Sequence, residues 1–296
     1  MLSRNYKEKT IEWTLFSVSV LTVVVLLLIC LFLFRDGLLL FKDTSLMDFL
    51  TGKFWYPTSI NRQFGLLPLF FGSIIVTAGA IIFAVPLGVA AAIYISEIAD
   101  PRIADFLKPF IEILAGIPSV VFGFFGLVVL VPIIQDSFNL PTGQTALTGS
   151  IMLGIMALPT IITISEDAIS SVPGTLEQGS LALGATKWQT IYKVIVPAAL
   201  SGISAAVMLG IGRAIGETMT LMMVTGNTAV IPSFPGGFLA SVRTMTATIA
   251  LEMGEVPQGS THFHALFAVG SVLFIITFLI NLIADSIKKR YRFKVD

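Results

Sequence analysis

The sequence predicts an all-α integral membrane protein with six transmembrane helices. Apolar residues make up 55% of the chain and charged residues only 12%. Six apolar stretches are long enough to cross a bilayer, and lysine and arginine collect on one side of the resulting topology. A mean hydropathy of +0.91 excludes an ordinary soluble domain. The formal net charge of zero gives no reason to expect nucleic acid as a partner.

The six predicted spans each have about 20 residues or more, the length that a hydrocarbon core of about 30 Å requires. They run over 13–34, 70–95, 113–134, 147–165, 198–224 and 265–287. The first outlasts the apolar part of a typical signal peptide, and no small-residue cleavage site follows it, so we expect a retained anchor. This anchor and an external loop form residues 1–66, and residues 67–296 form the core.

Lysine and arginine positions predict the orientation of the chain. If six helices alternate, one side holds most of the basic residues. These are Arg4, Lys7, Lys9, Arg102, Lys108, Lys187, Lys193, Lys288, Lys289, Arg290, Arg292 and Lys294. The opposite side holds only Arg35, Lys42, Lys53, Arg62 and Arg243. By the positive-inside rule, both termini and the loop 166–197 are cytoplasmic.

Two longer segments lie on the external side in this topology. The first, 35–68, contains Trp55 and Tyr56 and suits a loop with interfacial aromatic residues. The third and fourth spans also carry possible interruptions, AGIPSVVFGFFG and Pro159, whose freed backbone groups would need partners inside protein or a watery cavity.

The second external segment, 225–263, is rich in Gly, Pro, Ser and Thr and ends on His262 and His264. Two histidines one residue apart do not make a metal site without further ligands, so we expect surface or packing roles for them. The apolar residues of this segment suit either a re-entrant piece or a docking platform for an external partner. They include Phe234, Phe238 and Met245.

The cytoplasmic loop 166–197 is polar and has a helical pattern. Its first amphipathic run ends at Gly184, a typical helix stop. A new helix start follows, because Thr186 and Gln189 have the spacing of a capping box. Two short helices joined at a glycine form a rigid knob for a soluble partner, although an ordinary interhelical loop would show a similar pattern.

Arg213 and Glu217 lie four residues apart within the apolar fifth span. Each charge at mid-bilayer would cost about 2.5 to 3.5 kcal/mol on insertion scales, so both should face protein or water. On one helix face they can pair, which suits a purely structural salt bridge. Alternatively, Arg213 offers donors to a crossing oxyanion, Glu217 holds it in place, and Thr218 and Thr220 add hydroxyls.

The cytoplasmic loop resembles the coupling loop of ABC importer permeases, whose pattern is E-A-A, three residues, G, nine residues, I-x-L-P. The matching positions are Gln178, Gly179, Ser180, Gly184, Val194, Val196 and Pro197. Gln178 replaces the family glutamate, and Glu177 lies one residue earlier. The resemblance implies that the loop contacts a cytoplasmic ATPase through the matched residues and through Ala185, Thr186, Lys187 and Trp188.

The runs GRAIGETMTLMMVTGN, IPSVVFGFFGLVVLVP and HALFAVGSVLFIITFLINLIA resemble permeases of phosphate-specific (Pst) ABC importers, most closely the C-type subunit. The resemblance covers most of residues 70–287 and implies a type I ABC importer permease fold with cytoplasmic coupling helices in the inner membrane of a prokaryote. It ties Arg213 and Glu217 to phosphate passage. The implied partners are a second, homologous permease, two cytoplasmic ABC ATPases and an external phosphate-binding protein.

Other functions remain open at this stage. A permease for sulfate, molybdate or phosphonate would use the same arginine. An intramembrane enzyme would need Ser or Cys paired with His, or a metal-ligand cluster, at membrane depth, and neither pattern is visible. A secondary carrier acting alone usually shows internal repeats. The sequence has no G-x-x-x-x-G-K-[S/T] phosphate loop, so ATP and Mg²⁺ would bind partner chains and we expect no cofactor here.

Overall fold

A computed structural model describes residues 2–233 and 236–290. Its helices are α1 (Leu2–Leu39), α2 (Leu46–Thr51), α3 (Leu67–Ile93), α4 (Pro101–Gly116), α5 (Ser119–Phe125), α6 (Val131–Phe138), α7 (Ala146–Ser170), α8 (Gly174–Ala182), α9 (Lys187–Thr190), α10 (Val196–Gly216), α11 (Met219–Val224), α12 (Met245–Glu252) and α13 (Thr261–Arg290). An antiparallel hairpin pairs β1 (Trp55–Tyr56) with β2 (Gln63–Phe64). Phe234, Arg292 and Lys294 lie outside the described residues.

Short turns of other helical types complete the backbone. Turns with 3-10 geometry cover Leu40–Lys42 and Gly236–Leu239. Three wider π turns cover Tyr94–Ile98, Gly126–Leu130 and Ile191–Ile195. Two of them, Gly126–Leu130 and Ile191–Ile195, join two α-helices into one continuous segment, whereas Tyr94–Ile98 forms the last turn of the helix that begins with α3.

Six helical segments of the described chain are long and apolar enough to span a membrane, as predicted. They are Glu8–Lys42, Leu67–Ile98, Ser119–Phe138, Ala146–Ser170, Lys187–Gly216 and Thr261–Ser286. Their bounds differ from the prediction by several residues. The largest differences are at the end of the first span, at the start of the third and at both ends of the fifth.

The third span begins at Ser119 because the chain is extended just before it. Ile117 has φ −68° and ψ 128°, and a residue that precedes a proline is disfavoured in the helical region. Pro118 therefore separates α4 from α5. The amphipathic helix α4 stays attached to α7 through an ion pair between Lys108 Nζ and Glu166 Oε1 at 3.1 Å.

Helix α7 forms the centre of the bundle, and 61% of its most apolar stretch is buried. It packs between α3 and α10. Small residues permit this close approach, as at Gly154, which lies against the Phe83 ring. The interruption expected at Pro159 does not occur, since α7 continues unbroken to Ser170. A proline removes one backbone hydrogen bond of a helix, and the neighbouring helices support the remainder.

The two segments predicted to be external contribute residues that pack onto the ends of α3 and α13. Trp55, expected at the membrane interface, is instead only 2% exposed and contacts Phe64 edge to face. It shares one apolar cluster with Leu69, Met245 and Leu266. The first half of α12 is likewise buried. The start of α12, within the second predicted external segment, therefore packs inside the protein.

The backbones of α3 and of the residue just before α12 are in direct contact. A Cβ placed at Gly72 would clash with the carbonyl oxygen of Arg243. Glycine permits this approach. In addition, the Ser73 hydroxyl accepts a hydrogen bond from the Met245 N–H at 2.9 Å. The start of α12 is thus held against the second span.

Candidate functional site

The fifth span ends where the backbone becomes extended at Glu217, with φ −69° and ψ 133°. The short helix α11 begins two residues later. The Glu217 carboxylate accepts a hydrogen bond from the Thr220 N–H at 3.2 Å, and so it satisfies one of the donors that a helix N-terminus leaves free. Continuation of the fifth helix to residue 224 was therefore predicted incorrectly.

Arg213 lies on the last turn of α10, is exposed, and donates from Nη1 to the Thr160 hydroxyl on α7 at 3.1 Å. The expected pairing of Arg213 with Glu217 does not form, and no ion pair involving Arg213 is present in the part of the chain that the structure describes. The cause is the break at Glu217, because residues four apart face each other only while the helix continues.

The two threonines predicted beside this pair have different surroundings. Thr218 is half-buried, and its hydroxyl donates to the Gly216 carbonyl at 3.3 Å. Thr220 is completely buried, and its hydroxyl donates to the Ser119 carbonyl at 2.8 Å. In this conformation Thr220 therefore joins α11 to α5, and its hydroxyl does not face the open side of Arg213.

Open space surrounds the Arg213 end of α10. No atom lies within 4 Å of a Cβ placed at Gly212 or Gly216, whereas Gly210 packs tightly on Ile161 of α7. Arg213 thus keeps several guanidinium donors beyond the one used by Thr160. A planar, permanently charged donor group of this kind suits the oxygens of a phosphate-like anion.

The loop 166–197 forms the two helices that the sequence predicts. Gly184, at φ +84°, ends the first helix, and its N–H donates to the Leu181 carbonyl at 2.9 Å. The capping box is present: Thr186 Oγ1 accepts from the Gln189 N–H at 3.3 Å, and Gln189 Oε1 accepts from the Thr186 N–H at 3.0 Å.

A further hydrogen bond fixes the angle between these two helices. The Ser180 and Thr190 hydroxyls lie 2.9 Å apart, and Thr190 is fully buried. The pair of short helices is therefore held by its own side chains as well as by the turn at Gly184.

The outer surface of these helices is apolar and uncovered in the single chain. Leu183 is 91% exposed and Trp188 is 61% exposed. Most of the other predicted contact residues are also exposed, namely Gln178, Gly179, Gly184, Thr186, Lys187 and Pro197, while Ser180 and Ala185 are half-buried. Exposed apolar side chains grouped in this way are typical of a protein-binding surface.

One helical segment links this surface to Arg213. Helix α9 passes through the π turn Ile191–Ile195 into α10 without a break, so that Lys187–Gly216 is a single helical segment. Pro197 lies in the first turn of α10. Because the helical segment is continuous, the missing N–H of Pro197 leaves a carbonyl of the preceding π turn without a backbone donor.

Sequence reasoning missed three residues that organise this region. Thr160 orients Arg213, the Thr246 hydroxyl donates to the Glu217 carbonyl at 2.8 Å, and Glu252 binds His262 at 2.8 Å between Oε2 and Nε2. All three depend on helices that meet only in the folded chain. No local spacing signals them.

The sequence of this chain is similar to those of known transport proteins. A family model described as the inner membrane component of binding-protein-dependent transport systems matches residues 84–295. The chain is 45% identical to a probable ABC transporter permease, YqgH of Bacillus subtilis, over 88% of this chain and 84% of that one. It is 36% identical to the phosphate transport system permease protein PstC of Mesorhizobium japonicum, over 80% and 76% of the two chains.

Solved structures share the fold at lower identity. A bacterial alginate ABC transporter in complex with a pentasaccharide-bound periplasmic protein aligns with a TM-score of 0.63 at 15% identity, over 96% of this chain and 97% of that one. The inward-facing MetNI methionine ABC transporter aligns with a TM-score of 0.57 at 21% identity, over 76% and 96%. These likenesses establish the permease fold.

Proposed function

We infer the function of this chain from its family, since it belongs to the inner membrane components of binding-protein-dependent transport systems. It is a multi-pass membrane permease of an ABC importer, and its substrate is inorganic phosphate. Relatives named as phosphate permeases share 36% and 35% of its residues over most of the chain. The observation in the structure that supports an anionic substrate is Arg213, exposed beside open space and held by a neutral hydroxyl.

We propose that Arg213 is the binding group of the translocation path. A phosphate ion that leaves water needs donors to replace its hydration, and a guanidinium supplies several in one plane. Because no carboxylate neutralises Arg213 among the described residues, its charge remains available to the anion. Glu217 is close in sequence, and its negative charge limits how tightly the anion is held, which permits release.

The remaining parts of the importer lie on other chains in this proposal. A second, homologous permease completes the path, an external phosphate-binding protein delivers the ion, and two cytoplasmic ATPases bind ATP and Mg²⁺. The ATPases dock on the exposed surface around Leu183 and Trp188, and both termini are cytoplasmic. Nucleotide binding then shifts the population between states open to either side.

Uptake of labelled phosphate into vesicles that carry the assembled complex tests this proposal. Uptake should require ATP, and excess sulfate, molybdate or phosphonate should compete weakly. Strong competition by one of these anions would assign the permease to that anion, since one arginine does not distinguish tetrahedral oxyanions. Uptake that proceeds without ATP would contradict an ABC importer altogether.

We expect Thr160→Val to raise the KM for phosphate about threefold to tenfold, because it removes the hydroxyl that orients Arg213 while keeping the side-chain shape. The measurement is the concentration dependence of ATP-driven uptake. Thr163→Val is the matched control, since Thr163 is an exposed residue one turn further along α7. Equal KM values in the two variants would mean that Thr160 does not orient Arg213.

A further inference from the structure

Three side chains, those of Trp55, Arg243 and His262, meet at the carboxylate of Glu252. Its Oε1 atom lies 2.5 Å from Arg243 Nη1, and its Oε2 atom lies 2.8 Å from His262 Nε2. The indole Nε1 of Trp55 lies 3.1 Å from Oε2 and 3.2 Å from Oε1. We call these four side chains the Glu252 cluster.

The Glu252 cluster is largely buried and lines a cavity that is open to water on one side. Arg243 is 21% exposed, Glu252 17%, His262 13% and Trp55 2%. A charged acceptor with several donors forms strong, short hydrogen bonds. The last turn of α12, which carries Glu252, is therefore fixed to the hairpin and to the first turn of α13.

The opposite end of α12 is fixed to the break beside Arg213. The Thr246 hydroxyl donates to the Glu217 carbonyl at 2.8 Å. The Met245 N–H donates to Ser73 of α3 at 2.9 Å, and Arg243 Nε donates to the Asn227 carbonyl at 2.8 Å. Arg243 contributes to both ends, because its guanidinium also binds Glu252.

Helix α12 is a short strut between these two sets of contacts. It has eight residues, which corresponds to a length of about 12 Å. The Glu217 carbonyl that it holds follows directly on the last residue of α10. Because Arg213 is on the last turn of α10, movement of α12 displaces the end of the helix that presents Arg213.

We propose that Thr246 and Glu252 are positioning residues for phosphate translocation. Glu252 fixes α12 from the external side, and Thr246 transfers this constraint to the backbone at Glu217, so that Arg213 is held at the orientation that captures the ion. This inference rests on the proposed function of Arg213. Neither residue touches the substrate.

Thr246→Val tests the contact closest to the break. The variant keeps the shape of the side chain and removes its hydroxyl, and the expected result is a KM for phosphate raised about fivefold, at a maximal rate per assembled complex within about twofold of native. Thr246→Ser retains the hydroxyl and should restore a native KM. Thr248→Val is the matched control, since the Thr248 hydroxyl is also buried in α12 but bonds within the same helix, to the Thr244 carbonyl.

The KM separates positioning from simple stabilisation. A residue that only supports folding changes the number of complexes and hence the maximal uptake, whereas the KM is independent of that number. A native KM in Thr246→Val, whatever the yield, would overturn the proposal. If this variant does not assemble, Glu252→Gln carries the same test from the other end of α12, and there too a native KM contradicts the proposal.

The double variant, with Thr246→Val and Glu252→Gln combined, gives a second test of the proposal. Because Thr246 and Glu252 act through one strut, the combined change in KM should be smaller than the product of the two single changes. Independent, multiplying effects would contradict transmission through α12. Failure of the native complex to take up phosphate would instead contradict the proposed function, so the two failures are distinguishable.

Discussion

Arg213→Gln should lower ATP-driven phosphate uptake about 100-fold at low phosphate concentration. The substitution leaves a shorter, neutral polar side chain and removes the charge and most of the donors. Each hydrogen bond to a charged group contributes about 1.5 to 3 kcal/mol. The measurement is uptake into vesicles with the amount of assembled complex determined in parallel. Arg213→Lys should give an intermediate loss, since lysine keeps the charge without the planar fork.

Arg102→Gln is the matched control for this experiment. Arg102 is also an exposed arginine, but it lies on α4, outside the six spans. Its variant should transport at close to the native rate. If Arg213→Gln transports equally well, then Arg213 is a structural residue and the anion-binding group belongs to the partner permease.

Gly184→Val should uncouple ATP hydrolysis from uptake and lower uptake at least about tenfold. Gly184 has φ +84°, a conformation that costs a β-branched residue about 1 to 3 kcal/mol. To relieve this strain, the backbone must leave the turn that carries the bonds to Leu181 and from Ala185 to Ser180. The two short helices would then present their apolar surface at a different angle to the ATPase.

Parallel assays of ATPase activity and uptake in the assembled complex measure this uncoupling. Gly174→Ala serves as the control, because Gly174 lies at the start of α8 with open space around it and without positive φ. We expect native coupling in that variant. Native coupling in Gly184→Val as well would show that the ATPase does not sense the angle between α8 and α9.

The long helices and the turn at Gly184 were predictable because they depend on residues that are close together in the sequence. Apolar length alone indicates a span, and the capping box needs only Thr186 and Gln189 at the correct spacing. The helix stop at Gly184 follows in the same way from its place between two amphipathic runs, and the structure gives this residue φ +84°. The structure confirms each of these predictions.

The details around Arg213 were not predictable because they depend on distant segments. An apolar run does not reveal that the helix stops at Gly216, since Met219–Val224 has the same character on the far side of the break. The partner of Arg213 comes from α7, and the partner of the Glu217 carbonyl comes from α12. Likewise, Trp55 has the composition of an interfacial residue, and only the approach of Glu252 makes its burial favourable.

The unbroken helical segment from Lys187 to Gly216 has a mechanical consequence. About 25 residues separate Trp188 at one end from Arg213 at the other, which corresponds to a lever arm of about 35 Å. A tilt of about 10° around the Trp188 end would move the guanidinium by about 6 Å, more than the full reach of a hydrogen bond. In the proposed importer, a small rotation imposed by the ATPase would thereby be amplified into a displacement large enough to release a bound ion.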